Sequence, residues 1–409
     1  MEKRNSILTI IAIVTVVIIV DAIDSTPTGQ TAYRVPFPLF AYGDLQSSSS
    51  QPTVKLAICN SISCNTNNII SLVDTNATTP SLMTGSDNLP IISYSGTDSQ
   101  DLKVIHCGNK KCTLGNTITT VDYNAASYPS LAIGTDGLPI IAYLYEIFWF
   151  DHDLKVIHCG NKKCTLGNTI TTVDANGDTG WMPSLAIGSD NLPIILHMDL
   201  ANNDLRVVHC GNVYCSLGNN VTVVANAGGG GVLGRREYDL DVGSDGSPII
   251  AYVDRQTSLP YKLQVIHCGD TACTSGNTIN MVDNGGGFAS VGVYPSITIG
   301  QDGLPIVSYH DIYNGDLKTV NCGNLDCSAG NSITIVDLSS SFGDSFGTDT
   351  SITIGADGLP IISYKGVVNW STGQVKVAHC GNKKCTFGNT LTVVTGTGSS
   401  NDDTSITIG

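Results

Sequence analysis

The residues best equipped for chemistry recur at one spacing. All 14 cysteines fall into seven Cys-x4-Cys pairs, and in five of them a histidine stands directly before the first cysteine: His106, His158, His209, His267 and His379. Two sulfurs and an imidazole are three ligands for a soft metal ion, but a structural zinc takes four. In a strand the residue before a cysteine points to the opposite face, so His106 and Cys107 cannot readily grip one ion. An even count with none left over fits local disulfides in an exported chain: Cys59–Cys64, Cys107–Cys112, Cys159–Cys164, Cys210–Cys215, Cys268–Cys273, Cys322–Cys327 and Cys380–Cys385. No metal site is expected here, and the histidines are expected to be buried hydrogen-bonding residues between repeats.

A second set is acidic. Asp44, Asp199, Asp254 and Asp311 each stand two residues after the last aromatic or histidine of an apolar run. Such acids would hold a cation or sugar hydroxyls, calcium being the one cofactor the residues allow, or would form a solvated rim that caps strand ends. A third set is aromatic and charged, and differs from copy to copy: Tyr145, Glu146, Trp149, Asp151 and His152; Trp181; Arg235 and Arg236; Arg255; Tyr313; and Trp370. Exposed aromatics beside carboxylates suit sugar rings or a protein partner. A glycosidase would need two carboxylates at a fixed separation, and nothing in the sequence selects a pair. No phosphate loop, H-E-x-x-H or nucleophile elbow is present. A net charge of −15 argues against nucleic acid, which demands a basic stripe.

These residues are set by a repeat. DLKVIHCGNKKCTLGNTITTVD occurs letter for letter at 101–122 and 153–174, and variants surround the other five cysteine pairs. First cysteines lie 48, 52, 51, 58, 54 and 58 residues apart, a four-strand period. Each copy reads as strands A to D, in the third PSLAIG, LPIIAY, DLKVIHC and TITTVD. An Asp-Gly or Asp-Asn turn joins A to B, and the cysteine loop joins C to D. Loops A–B and C–D recur almost unchanged and share one face. Loops B–C and D–A vary and share the other, and varied loops on a fixed scaffold are where specificity is built. The first copy lacks strand A, and SITIG at 405–409 supplies it, a clasp that closes the ring.

The four-strand unit, the count of seven and the clasp resemble the seven-bladed β-propellers, and the DGLPIISY and HCGN repeats are similar to those of uncharacterised secreted propeller proteins. The resemblance implies an all-β fold over 37–409 with four antiparallel strands per blade and one disulfide in each. The Ser244-Asp245-Gly246 turn resembles the Asp-box of sialidases without its aromatic. A sialidase arginine cluster is hard to build from Arg34, Arg206, Arg235, Arg236 and Arg255. Residues 1–22 read as an export signal, with the apolar run 7–20 behind Lys3 and Arg4, followed by a linker over 23–36. A membrane enters only if that segment is retained. The expected protein is secreted and non-catalytic, and binds an extracellular glycan or protein on its variable face. The alternatives are a self-associating filament or surface-layer subunit, and a carbohydrate-active enzyme.

Overall fold

The computed structural model describes residues 36–44, 51–123, 126–148, 151–227, 237–256, 259–286, 289–339, 341, 343–369, 372–397 and 403–409. Residues 1–22, read from the sequence as an export signal, lie outside them. The described residues contain no helix. They form seven antiparallel sheets of four strands, and Phe37–Gly409 is one compact unit. In the third blade, strand A is Ala126–Ile133, B Pro139–Phe148, C Asp151–His158 and D Thr169–Asp174. In the first blade Thr404–Ile408 pairs with Pro38–Asp44, so the last strand completes the sheet begun by the first, as the repeat phase predicts.

Strands A of neighbouring blades touch in an unbroken ring, which makes A the innermost strand and D the rim. Two belts of hydrogen bonds run through all seven junctions. In the inner belt a strand A side chain accepts a backbone N–H from the next strand A: Ser81 from Leu131, Ser130 from Leu185, Ser184 from Leu240, Asp239 from Ile297, Ser296 from Ile352, Ser351 from Ile406 and Ser405 from Leu82, at 3.0–3.2 Å. In the outer belt a strand D side chain donates to the carbonyl just before the next blade's second cysteine, from Ser71 to Lys111 through Thr392 to Ser63. The disulfide loop is therefore the socket for its neighbour's rim strand.

Local chemistry explains the blade. Each B strand begins on a proline, where no ladder N–H is needed, and that proline's carbonyl accepts the N–H of the first cysteine, as from Cys107 to Pro90 at 3.0 Å. All seven disulfides form as the spacing predicts, and no described cysteine is free. Such bonds belong to an oxidising compartment.

The histidines before the cysteines differ from expectation. Each lies 2.7–2.9 Å from the turn aspartate of its own blade: His106 with Asp87, His158 with Asp136, His209 with Asp190, His267 with Asp245 and His379 with Asp357. The other carboxylate oxygen caps the turn, as Asp136 accepts the Leu138 N–H at 3.0 Å. A turn aspartate and a histidine some 20 residues later thus clamp the A–B turn onto the end of strand C, because both sit at the same end of adjacent strands. Two also reach a neighbouring blade: at the closure His379 Nδ1 meets Ser63 Oγ at 3.1 Å, and the His158 ring stands edge-on to Tyr214 at 4.7 Å between centroids.

Candidate functional site

Strand A enters from the variable face through a bulge in five blades, breaking register before Ser81, Ser130, Ser184, Ser296 and Ser351. The bulged residue in each is not glycine yet has φ near +50°: Thr79, Tyr128, Met182, Tyr294 and Asp349. Residues other than glycine hold that conformation only when their surroundings impose it, and bulges re-aim side chains. Since the A strands are innermost, these five positions lie at the variable-face end of the inner ring; the Met182 side chain turns into the core.

At the junction of the third and fourth blades this end carries its densest group. Trp181 opens strand A of the fourth blade and is half-buried. Its Nε1–H donates to Asp178 Oδ1 at 2.9 Å, and the same oxygen hydrogen-bonds His152 Nδ1. The His152 ring stands edge-on to the indole at 4.9 Å between centroids, and Tyr128 lies on another side at 6.3 Å. Facing Asp178, Nδ1 holds the proton in the neutral ring and leaves Nε2 as the acceptor. The loop from 175 to 180 is pinned beneath. The buried Thr179 bonds to the carbonyls of Asp174 and His152. Gly180, at φ +81°, lies so close to Asp153 that a Cβ would come within 2.7 Å of its carbonyl oxygen. Asp178 is thus held in place before any ligand arrives. A smaller group repeats the theme three blades on, where His310 Nε2 meets Ser345 Oγ at 3.1 Å beside Tyr294.

The acids that follow strand B do not form a solvated rim. Asp44, Asp199 and Asp311 are buried. Asp44 pairs with Lys55, Asp199 with Arg206, and Asp311 with Lys318 at 2.5 Å. Asp254 accepts from Gln264 Nε2 at 2.6 Å and from the Gln256 N–H. Burial works against the Asp311 charge, yet the Lys318 hydrogen bond holds its carboxyl below the ordinary value. The cation recurs because the third residue of DLKVIH lies opposite the last aromatic of strand B, as Lys103 opposite Tyr94. Arg255 is buried too, paired with Glu237 and stacked over Tyr261 at 4.2 Å. These five candidates are taken up by the protein itself. Tyr145 lies under Lys155 Nζ at 3.0 Å, Glu146 is half-buried, and Tyr313 is exposed. Trp149, Arg235, Arg236 and Trp370 lie outside the described residues, as does the side chain of Asp151. The site therefore gathers His152 and Trp181 from the sequence-derived set and adds Tyr128 and Asp178.

Beneath the site, strand D of one blade ends on an acid that serves the next. Asp74 accepts from Tyr94 at 2.9 Å, Asp122 from Tyr143 at 2.6 Å, Asp283 from Tyr309 at 2.7 Å and Asp337 from Tyr364 at 2.6 Å. Burial, reinforced by these carboxylates, pushes the phenols well above their usual value, so they stay neutral donors. The fourth blade alone carries histidine there. The Gly180 N–H donates to His197 Nδ1 at 3.2 Å, which puts the ring proton on Nε2, 3.5 Å from Asp174. Burial pushes His197 down from 6.5 to about 4, outweighing Asp174, whose charge Arg206 already meets. The unfolded chain then binds more protons between pH 6.5 and 4, so this group's contribution to stability is whole above that window and is lost as pH falls through it. Relative to His197→Tyr, the residue of the sister blades, the wild type should lose about 3 kcal/mol from pH 7 to pH 4, as read by urea denaturation. A difference that does not change with pH would contradict the neutral ring.

No family model and no curated protein matches the chain. Solved structures share its fold. A protein from Lactobacillus plantarum is 12% identical over 90% of this chain and 98% of its own, with a TM-score of 0.55. A polysaccharide lyase of family PL25, an ulvan lyase bound to -[GlcA(1-4)Rha3S]-, is 10% identical over 90% of this chain and 91% of its own, with a TM-score of 0.53. At such identities the likeness is one of architecture.

Proposed function

We propose that this is an exported propeller that binds a polysaccharide chain at the channel mouth of its variable face. The observation that carries the reading is Trp181, half-exposed and oriented by Asp178, with His152 and Tyr128 beside it. An indole face stacks on the C–H face of a pyranose ring, while the Asp178 carboxylate meets its hydroxyls and the buried His152 holds that carboxylate in place. The ulvan lyase, bound to a saccharide on the same architecture, is in keeping with this reading. On an array of defined oligosaccharides the wild type should retain a subset. Trp181→Ala should weaken that binding about tenfold or more, the loss of a hot-spot aromatic, and, because the half-buried ring packs on the core, should cost about 0.5–3 kcal/mol of stability with the fold retained. Equal retention by both proteins would overturn the site.

A catalytic reading is favoured by one feature, the Asp178–His152 pair. A carboxylate that orients an imidazole is the arrangement of a general base, which a substrate reaches only where the buried His152 is uncovered, whereas the ion-paired Asp199 and Asp311 are poor candidates for the two acids of a glycosidase. If His152 abstracts the proton beside a uronate carboxylate, the array ligand should be cleaved with the appearance of unsaturated uronate absorbance, abolished in His152→Ala. Intact ligand after prolonged incubation would leave binding alone.

A further inference from the structure

The opposite face carries a pattern that the variable-face site does not use. Every C–D loop is a rigid hook. In the second blade the Asn109 side chain accepts the N–H groups of Lys111 and Thr113 at 3.0 and 3.2 Å, and Asn116 bonds both the Gly108 N–H and the Cys112 carbonyl. A Cβ on Gly108 would lie 2.4 Å from Gly115, so the two glycines fix the crossing. Between the hooks of blades two to seven the pair before the second cysteine and the residue at the tip change, and Asp270 replaces the hook asparagine in blade five; the first blade's hook carries Asn60 and Asn67 in place of the two glycines, Ser61 in place of the asparagine, and Thr66 at its tip. Blades two and three carry Lys110-Lys111 with Leu114 and Lys162-Lys163 with Leu166, blade seven carries Lys383-Lys384 with Phe387, and blade four carries Tyr214 with Leu217. Blades five and six have Ser275 and Ala329 at the tip, with Asp270 and Asp326 in the hook.

The tips Leu114, Leu166, Leu217 and Phe387 are 72–75% exposed, far more than large apolar side chains ordinarily are. Six of the chain's 14 lysines sit in these hooks. Elsewhere Lys55, Lys103, Lys318 and Lys376 pair with blade carboxylates, whereas among the described residues no acid pairs with a hook lysine. The nearest recurrent acids on that face, Asp87, Asp136 and Asp357, are clamped by histidines. In a protein of net charge −15, unpaired cations are thus gathered beside protruding apolar tips on an arc of one face that runs from the seventh blade to the fourth and is interrupted at the first, whose hook holds no lysine and ends on Thr66.

We infer that this arc docks the propeller onto an anionic lipid bilayer, with the leucine and phenylalanine tips entering the headgroup boundary and the hook lysines meeting lipid phosphates. Long lysine stems let the charge stay in the interface while apolar tips go deeper, and basic residues near an anionic surface add attraction that salt screens. A disulfide-closed hook loses little freedom on docking. The inference is independent of the saccharide site, which would then face away from the membrane.

The test is co-sedimentation of the full-length chain with phosphatidylglycerol-containing vesicles and with pure phosphatidylcholine vesicles. Binding should favour the anionic vesicles and fall with salt. K111Q/K163Q/K384Q should weaken it on the order of a hundredfold, about fivefold per lysine, and L114S/L166S/F387S should weaken it at least about tenfold, both with unchanged melting. The N-terminal apolar run is common to all variants and cancels in the comparison. Equal binding to both vesicle types, or by all three proteins, would overturn the inference. So would a lysine variant that loses binding to soluble heparin as well while the tip variant binds vesicles normally, since that marks a soluble polyanion as the partner.

Discussion

Deletion of 404–409 should destabilise the protein by about 5 kcal/mol or more, out of the roughly 5–15 kcal/mol typical of folded proteins, and should drive self-association. The segment is five residues of strand and one more. It nevertheless holds the antiparallel register with Pro38–Tyr42, places Ser405 and Ile406 in the inner belt, and buries Thr404 against the Asp349 and Ser363 carbonyls. Without it the strand Pro38–Asp44 becomes an open edge, and an open edge recruits other strands. Light scattering and denaturation would show the loss, and a synthetic TSITIG peptide should restore a monomer by adding the missing strand in trans. A truncated chain that stays monomeric and melts as before would refute closure by the clasp.

Arg206→Ala should cost about 3–5 kcal/mol, the penalty for stranding buried charge. The guanidinium meets Asp174 of the previous blade at 2.9 Å and Asp199 of its own, and the two carboxylates are 1% and 0% exposed. The variant leaves both without their cation. Arg206→Lys should retain part of the stability, because lysine fills the position in five sister blades, but one ammonium cannot fork between two acids. A loss under about 1 kcal/mol near neutral pH would mean that water reaches these acids.

The two stability predictions and the candidate site were not equally legible in the sequence. Strand, turn and clasp are local patterns repeated seven times, so the fold could be read before any contact was known. The Asp–His clamp was written in two places, the turn aspartate and the histidine before each cysteine, and only the antiparallel return of strand C brings them together. The acids after strand B looked like a rim because each ends a strand, yet the cation two strand positions into the next element draws them inside. Trp181 and His152 stood out as residues that break the repeat. Asp178 was hidden in ANGDTG, which reads as a plain turn, and Tyr128 lay just ahead of the strand that begins at Pro129. Its one sequence signal is its place: the residue two before the belt serine is Tyr128, Met182, Tyr294 or Asp349 in a position where its sister is Thr79. Nothing in a linear reading says that this position takes a positive φ at the variable-face end of strand A.

Hydrogen exchange with a retained oligosaccharide bound at saturation tests the central claim most directly. The account predicts slowed amide exchange at 126–131, 151–155 and 176–182, with the A–B turns and cysteine hooks unchanged. Protection confined to the hooks and turns, with none at the channel mouth, would contradict it.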